Sequence, residues 1–143
     1  MKRVKNVLSV VAIPMVASRV CGESSAEATK SVRLVLPAQA GSVVKNIGAV
    51  FTRQVQQRCE ARVVMSGKAP LTVELAVEKG IGAEGYRIED RKDGGVRIVG
   101  NDERGVLYGV GKFLRTSRYE KGGFTPGSWR GTSVPEKAVR GIY

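Results

Sequence analysis

Apolar and polar residues alternate along this chain with two different periods. In SVRLVLP, Val32, Leu34 and Leu36 point to one side and Arg33 and Val35 to the other, which is the period of a strand, and Pro37 stops it. In GSVVKNIGAVFTRQVQQRC the period lengthens. Val44, Ile47, Val50, Phe51 and Val55 recur at helical spacing, Lys45, Arg53, Gln56 and Gln57 form the polar face, and Ser42 stands where an N-cap is expected. ARVVMS returns to a short strand. Strand, helix and strand in this order predict a parallel pair joined by a right-handed crossover.

The next stretch is strand-like throughout. LTVELAVEK alternates, with Leu71, Val73, Leu75 and Val77 expected inward. EGYRIEDR places Tyr86 and Ile88 on one face, and GVRIVG does the same for Val96 and Ile98. Between them Lys92-Asp93-Gly94-Gly95 is a hairpin signal, because Asp-Gly tolerates the positive φ of a tight primed turn. Half-polar strands imply a sheet covered on one face and wetter on the other. The predicted fold class is α/β (α+β). Its order is β-α-β-β-β-β-α, a mixed, mostly antiparallel sheet with two helices packed on one face.

The second helix comes from NDERGVLYGVGKFLR, which is also the one stretch that invites a chemical reading. Its glycines Gly105, Gly109 and Gly111 fit neither a dinucleotide-binding loop nor a phosphate loop, which lacks its Gly-Lys-Ser/Thr here. They do fit a helix whose Val106, Leu107, Val110, Phe113 and Leu114 make one stripe. Asn101 is the expected cap. Asp102 and Glu103 suit the positive end of the helix dipole, and Lys112, Arg115 and Arg118 suit the other end. Each interior glycine costs about 1 kcal/mol against alanine. That cost points to close approach of a neighbouring backbone.

Composition narrows the chemistry further. The 143 residues make one modest domain, short of the roughly 250 that a catalytic barrel requires. There is no histidine, the commonest general base and metal ligand. Adjacent acids such as Glu89 and Asp90 project to opposite faces of a strand, so they do not form a catalytic pair. No catalytic residue, metal site or cofactor is assigned. The net charge of +11 is spread along the chain rather than gathered in a stripe.

The start reads as an export signal: Lys2, Arg3 and Lys5 precede a short apolar run over residues 7–17. That run is too short to span a bilayer. The expected location is therefore periplasmic or extracellular. Cys21 follows Arg19 and Val20, a poor match to a lipidation signal. Cys59 at the end of the first helix reads as a buried structural thiol.

After Thr116 the pattern dissolves into a Gly- and Pro-rich stretch carrying Tyr119, Phe124, Trp129 and Tyr143. The expected organisation is an export signal over 1–28, a small α/β domain over 29–118, and a linker with the start of a further, missing domain over 119–143.

The segment YRIEDRKDGGVRIVGNDERGVLYGVGKFLR resembles the small α/β domain that precedes the catalytic barrel in glycoside hydrolases such as β-N-acetylhexosaminidases and α-glucuronidases. The matching positions are Tyr86, Ile88, Ile98, Gly100, Arg104, Gly105, Tyr108 and Gly109, followed by VRGIY with Arg140, Gly141 and Tyr143. The resemblance covers residues 30–143 and implies an accessory, non-catalytic domain of an exported glycoside hydrolase. Its expected partner is a catalytic barrel that this chain does not contain, and Trp129, Arg130, Arg140 and Tyr143 are the expected interface residues. The family's catalytic carboxylates belong to that barrel, so none maps here. The competing reading is a free-standing basic module that binds an anionic polymer, either polysaccharide or nucleic acid, of which nucleic acid is disfavoured because no sheet face carries the aromatics as a platform.

Overall fold

Strand period, helix period and turn chemistry decide the architecture in the order in which the chain presents them. The computed structural model describes residues 27–137. The leader with Cys21, and the motif containing Arg140 and Tyr143, lie outside those residues. Strand β1 (Ser31–Val35) leads into helix α1 (Ser42–Cys59), then β2 (Arg62–Val64), β3 (Leu71–Val77), β4 (Tyr86–Asp90), β5 (Val96–Gly100) and helix α2 (Glu103–Thr116). This is the predicted order. Three short strands follow: β6 (Arg118–Glu120), β7 (Gly123–Thr125) and β8 (Gly131–Ser133).

The main sheet runs β2-β1-β3-β5-β4-β8, and β6-β7 form a separate hairpin. The sheet is mixed, but the expected predominance of antiparallel pairing is corrected. β1 pairs parallel with both β2 and β3, and β3 pairs parallel with β5. Only β4 reverses, against β5 and β8. The reason is the chain path: β3 inserts between β1 and β5 instead of turning straight back onto its sequence neighbour. The hairpin forms, but not through a primed turn: the Arg91 carbonyl accepts from Gly94 N–H, and of residues 92–95 only Gly94, at φ 83°, is left-handed.

Register places both helices on one side. Leu34, Val73 and Val96 are aligned across three strands, as are Leu75, Ile98 and Ile88. A Cβ on Gly48 of α1 would meet Leu34, and one on Gly109 of α2 would meet Ile98, so both helices cover that same face. The core between them is dominated by Phe51, Phe113 and Phe124, whose rings lie 6.1–6.4 Å apart. Three residues read as inward sit at the margin instead: Val50 is 37% exposed, Val77 40% and Leu107 45%. Val77 ends its strand, and the two helical residues flank the buried stripes.

Both helix caps differ from expectation by one residue. α1 is preceded by Gly41, which makes no side-chain cap, and Ser42 is already helical. α2 is capped by Asp102, whose Oδ1 accepts from Gly105 N–H at 2.8 Å. Beyond Thr116 the tail keeps contributing structure. Lys121-Gly122 turns β6 onto β7, with Gly122 at φ 74°, and β8 extends the sheet beside β4.

The three helical glycines separate sharply. A Cβ on Gly105 would lie 2.2 Å from the carbonyl oxygen of Gly85, and one on Gly109 would lie 2.7 Å from Ile98 Cγ2. A Cβ on Gly111 would meet nothing within 4 Å. Close approach therefore explains the first two glycines and not the third. Gly105→Ala is expected to cost about 3 kcal/mol and Gly109→Ala about 1–3 kcal/mol by overpacking. Gly111→Ala is expected to stabilise the isolated chain by about 0.5–1 kcal/mol. Urea unfolding midpoints of the three variants check this ranking; equal losses at all three positions would contradict it.

Candidate functional site

The residues of the family-like motif converge on one corner, where the loop after β3 meets the start of α2. Asn101 Oδ1 accepts the N–H groups of Gly80, Ile81 and Gly82 at 3.0, 3.2 and 3.3 Å. Its neighbour Asp102 works in two directions, accepting Glu84 N–H at 2.8 Å on Oδ2 while Oδ1 caps the helix. Glu84 sits in the left-handed region at φ 57°, and its carboxylate accepts from Arg104 at 2.7 Å. Gly100 belongs to the same corner, since a Cβ there would lie 2.2 Å from the Val106 nitrogen. Tyr108 follows Arg104 by one helical turn. Asn101, Asp102 and Arg104 thus fasten a loop to a helix.

Burial alone pushes the Asp102 carboxyl up, but the N–H donors of Glu84 and Gly105 outweigh it, and the group ionises below the ordinary aspartate value. A cap and a loop clamp both need the carboxylate, so the shift has a structural meaning here.

The remaining motif residues extend along α2. Tyr86 packs beneath Gly109, and Ile88 is buried in the core. Trp129 lies with its ring centroid 6.0 Å from that of Tyr86, and Lys112 Nζ stands 5.1 Å from the Trp129 centroid. Arg130 reaches Asp90 at 2.7 Å and donates to the carbonyls of Gly127 and Trp129 at 2.7 and 2.8 Å. Trp129 and Arg130 thus tie the exit segment to β4 and α2. Arg140 and Tyr143, the other two interface candidates, lie outside the described residues.

The acids excluded as a catalytic pair have other partners. Glu89 and Asp90 diverge: Glu89 bonds Arg87 at 2.8 Å and Arg97 at 3.2 Å, whereas Asp90 meets Arg130. On the sheet face away from the helices, Arg97 also bonds Glu74 at 3.2 Å and Glu78, and Arg91 joins Glu74 and Asp93. The result is a lattice of paired charges covering β3, β4 and β5. Among the described residues no three His, Cys, Asp or Glu side chains gather to hold a metal ion. Cys59 is buried, with its thiol donating to the Val55 carbonyl at 3.1 Å.

The helix layer has the opposite character. Both helices run antiparallel to the parallel strands they follow, so they lie parallel to each other. Val43 (43% exposed) and Val50 lie on the flank of α1 turned toward α2. Leu107 lies on the flank of α2 turned toward α1, and Gly111 is exposed one turn further on. The helix layer thus exposes Val43, Val50 and Leu107 and lacks a side chain at Gly111, while Glu103 reaches the start of α1, where its Oε1 would lie 2.7 Å from a Cβ on Gly41.

The comparisons agree with this architecture. The family model described as glycosyl hydrolase family 20, domain 2 matches residues 11–139. A solved family 20 β-N-acetylhexosaminidase from Streptomyces coelicolor A3(2) superposes with a TM-score of 0.52 at 17% identity, over 71% of this chain and 21% of that one. A solved family 138 glycoside hydrolase, described as targeting pectin rhamnogalacturonan II, superposes with a TM-score of 0.51 at 12% identity, over 59% of this chain and 13% of that one. The chain thus corresponds to about a fifth or less of the length of these solved relatives. No curated protein matches it by sequence.

The Asp102 geometry has a pH signature. Its folded value lies below the unfolded one, so the unfolded chain binds the extra proton as pH falls. The contribution of Asp102 is complete above the ordinary value of 3.8 and is lost as pH drops through the lower folded value. Asp102→Asn, which turns an amide N–H toward one of the two donors, is expected to cost about 1–2 kcal/mol near neutrality. The deficit should shrink on acidification from about pH 6 to about pH 3. Urea titrations at both pH values measure it; a deficit that does not change with pH would contradict the assignment.

Proposed function

The chain belongs to the family of glycosyl hydrolase family 20, domain 2, and on that premise we propose that it is the accessory domain of an exported hexosaminidase-like enzyme, docked on that enzyme's catalytic domain through its helix layer. The family match favours the hexosaminidase side of the two branches that the motif resembles. The domain itself contributes no catalysis on this reading: Asp102 serves the cap and the loop clamp, and Glu74, Glu78, Glu89 and Asp93 serve the sheet-face lattice.

The observation that carries the docking is the contrast between the two faces. Paired arginines and carboxylates on the sheet face are best left in water, because withdrawing such charges from solvent is costly. The exposed Val43, Val50 and Leu107 of the helix layer gain from being covered, at about 25 cal/mol per Å² of apolar surface. Gly111, which has no steric reason inside the domain, permits the close approach of a second backbone. Trp129 and Arg130 hold the exit segment in place, and Arg140 and Tyr143 belong to the motif by which the neighbouring domain begins. Export rests on the basic and apolar leader. No helix among the described residues is long and apolar enough to cross a membrane.

Two experiments test this. The purified chain, assayed on chromogenic N-acetyl-hexosaminides, should show no turnover; activity that co-purifies with it to homogeneity would overturn the non-catalytic reading. Gly111→Trp should change the stability of the isolated chain by no more than about 0.5 kcal/mol. In a protein that carries the catalytic domain it should loosen the junction by about 2–3 kcal/mol, read as loss of a single cooperative thermal transition. An unperturbed transition would place the interface elsewhere.

A further inference from the structure

A groove of about 540 Å³ runs along α1 and is lined by no residue of α2. Its apolar floor includes Leu36 and Met65, and its rim carries Lys45, Arg53, Gln56 and Gln57. No acidic residue lines it. Lys45 and Arg53 are both exposed, and among the described residues neither is ion-paired by any neighbouring carboxylate.

The charge of the whole chain is divided unevenly around this groove. Residues 29–73 hold seven Lys or Arg and a single acid, Glu60, whereas residues 74–103 hold eight of the thirteen acids. Those later acids are consumed largely by their own arginines on β3, β4 and β5, so residues 29–73 keep a net charge of +6, matched by the +6 of residues 104–143, which hold eight Lys or Arg and two acids. Such a surface raises the local concentration of anions and steers them in.

We propose that this groove binds a segment of anionic polysaccharide, a site distinct from the helix-layer interface and independent of the accessory-domain reading. Lys45 and Arg53 are eight residues apart, about 12 Å along the helix axis. Cations spaced in this way along a groove suit a ligand that runs along the helix, so the ligand proposed is a chain. The two cations meet carboxylates on that chain, and the amides of Gln56 and Gln57 offer paired donors and acceptors to its hydroxyls. Leu36 and Met65 receive the apolar faces of the sugar rings. The groove has no aromatic side chain, which removes the stacking platform that single-stranded nucleic acid requires.

The probe is an alginate oligosaccharide titrated calorimetrically into the full chain at low salt, with neutral dextran and a single-stranded DNA as comparators. Alginate is expected to bind and to weaken at least about tenfold when salt is raised to near-physiological strength. Lys45→Gln with Arg53→Gln should weaken it by about tenfold. Arg118→Gln with Lys121→Gln removes the same charge from the β6-β7 hairpin and should change affinity by less than about twofold. All four positions are exposed, so both double variants keep the core intact. The proposal is overturned by no alginate binding at low salt, by equal loss in the two double variants, by dextran binding as well as alginate, or by DNA binding more tightly than alginate.

Discussion

The distance between the backbone of α2 and the loop beneath it governs this structure. At Gly105 the helix comes so near the Gly85 carbonyl that a Cβ would sit 2.2 Å away, and at Gly100 the strand end comes equally near the helix. The approach removes any room for side chains at those points and hands the job of holding the loop to Asn101, Asp102 and Arg104. From this seat follow the position of Gly109 over Tyr86 and Ile98, the packing of Trp129 on Tyr86, and the path of the exit segment. A motif that looks in sequence like a glycine-rich catalytic turn is, in space, a steric and hydrogen-bonding fastener.

The two faces of the sheet then acquire different fates from the same alternation of residues. Odd and even positions of β3, β4 and β5 divide into a core-facing set, with Val73, Leu75, Ile88 and Ile98, and an outer set, with Glu74, Arg87, Glu89 and Arg97. The outer set is satisfied within itself. That leaves the helix layer, with its exposed valines and leucine, as the surface whose covering is favourable. Charge is partitioned too, with acids gathered beside their arginines in residues 74–103 and the excess of cations divided between residues 29–73 and 104–143. Net charge alone describes none of this; its distribution does.

Much of the fold was legible in the chain. The two helices, the first five strands and the Asp93-Gly94 hairpin follow from period and turn chemistry alone. What was not legible depended on neighbours distant in sequence. Parallel pairing of β3 with β5 leaves no local mark, because a half-polar strand alternates in the same way whichever neighbour it joins. Strands β6 to β8 are three residues each, too short for a period to register, although Lys121-Gly122-Gly123 between Tyr119 and Phe124 carried a turn signal. Asn101 and Asp102 are equally good caps by composition, and only the loop at Gly80–Gly82 decides which of them is free to serve the helix. At the site, Gly100, Arg104 and Gly105 of the family motif meet at one corner, and Glu89 and Asp90 go to different partners, Arg97 and Arg130. The difference between Gly111 and its two companions required the neighbouring backbone to be seen.

The central claim, that the helix layer is the surface turned toward a catalytic domain, is tested most directly by accessibility. Single cysteines at Val43, Leu107 and, on the sheet side, Lys92 can be placed in the protein expressed with its catalytic domain and exposed to a maleimide, with buried Cys59 as the unreactive background. The account predicts that cysteines at 43 and 107 are protected while that at 92 reacts freely, and that all three react in the isolated chain. Free reaction at 43 and 107 in the joined protein, with protection at 92, would contradict it.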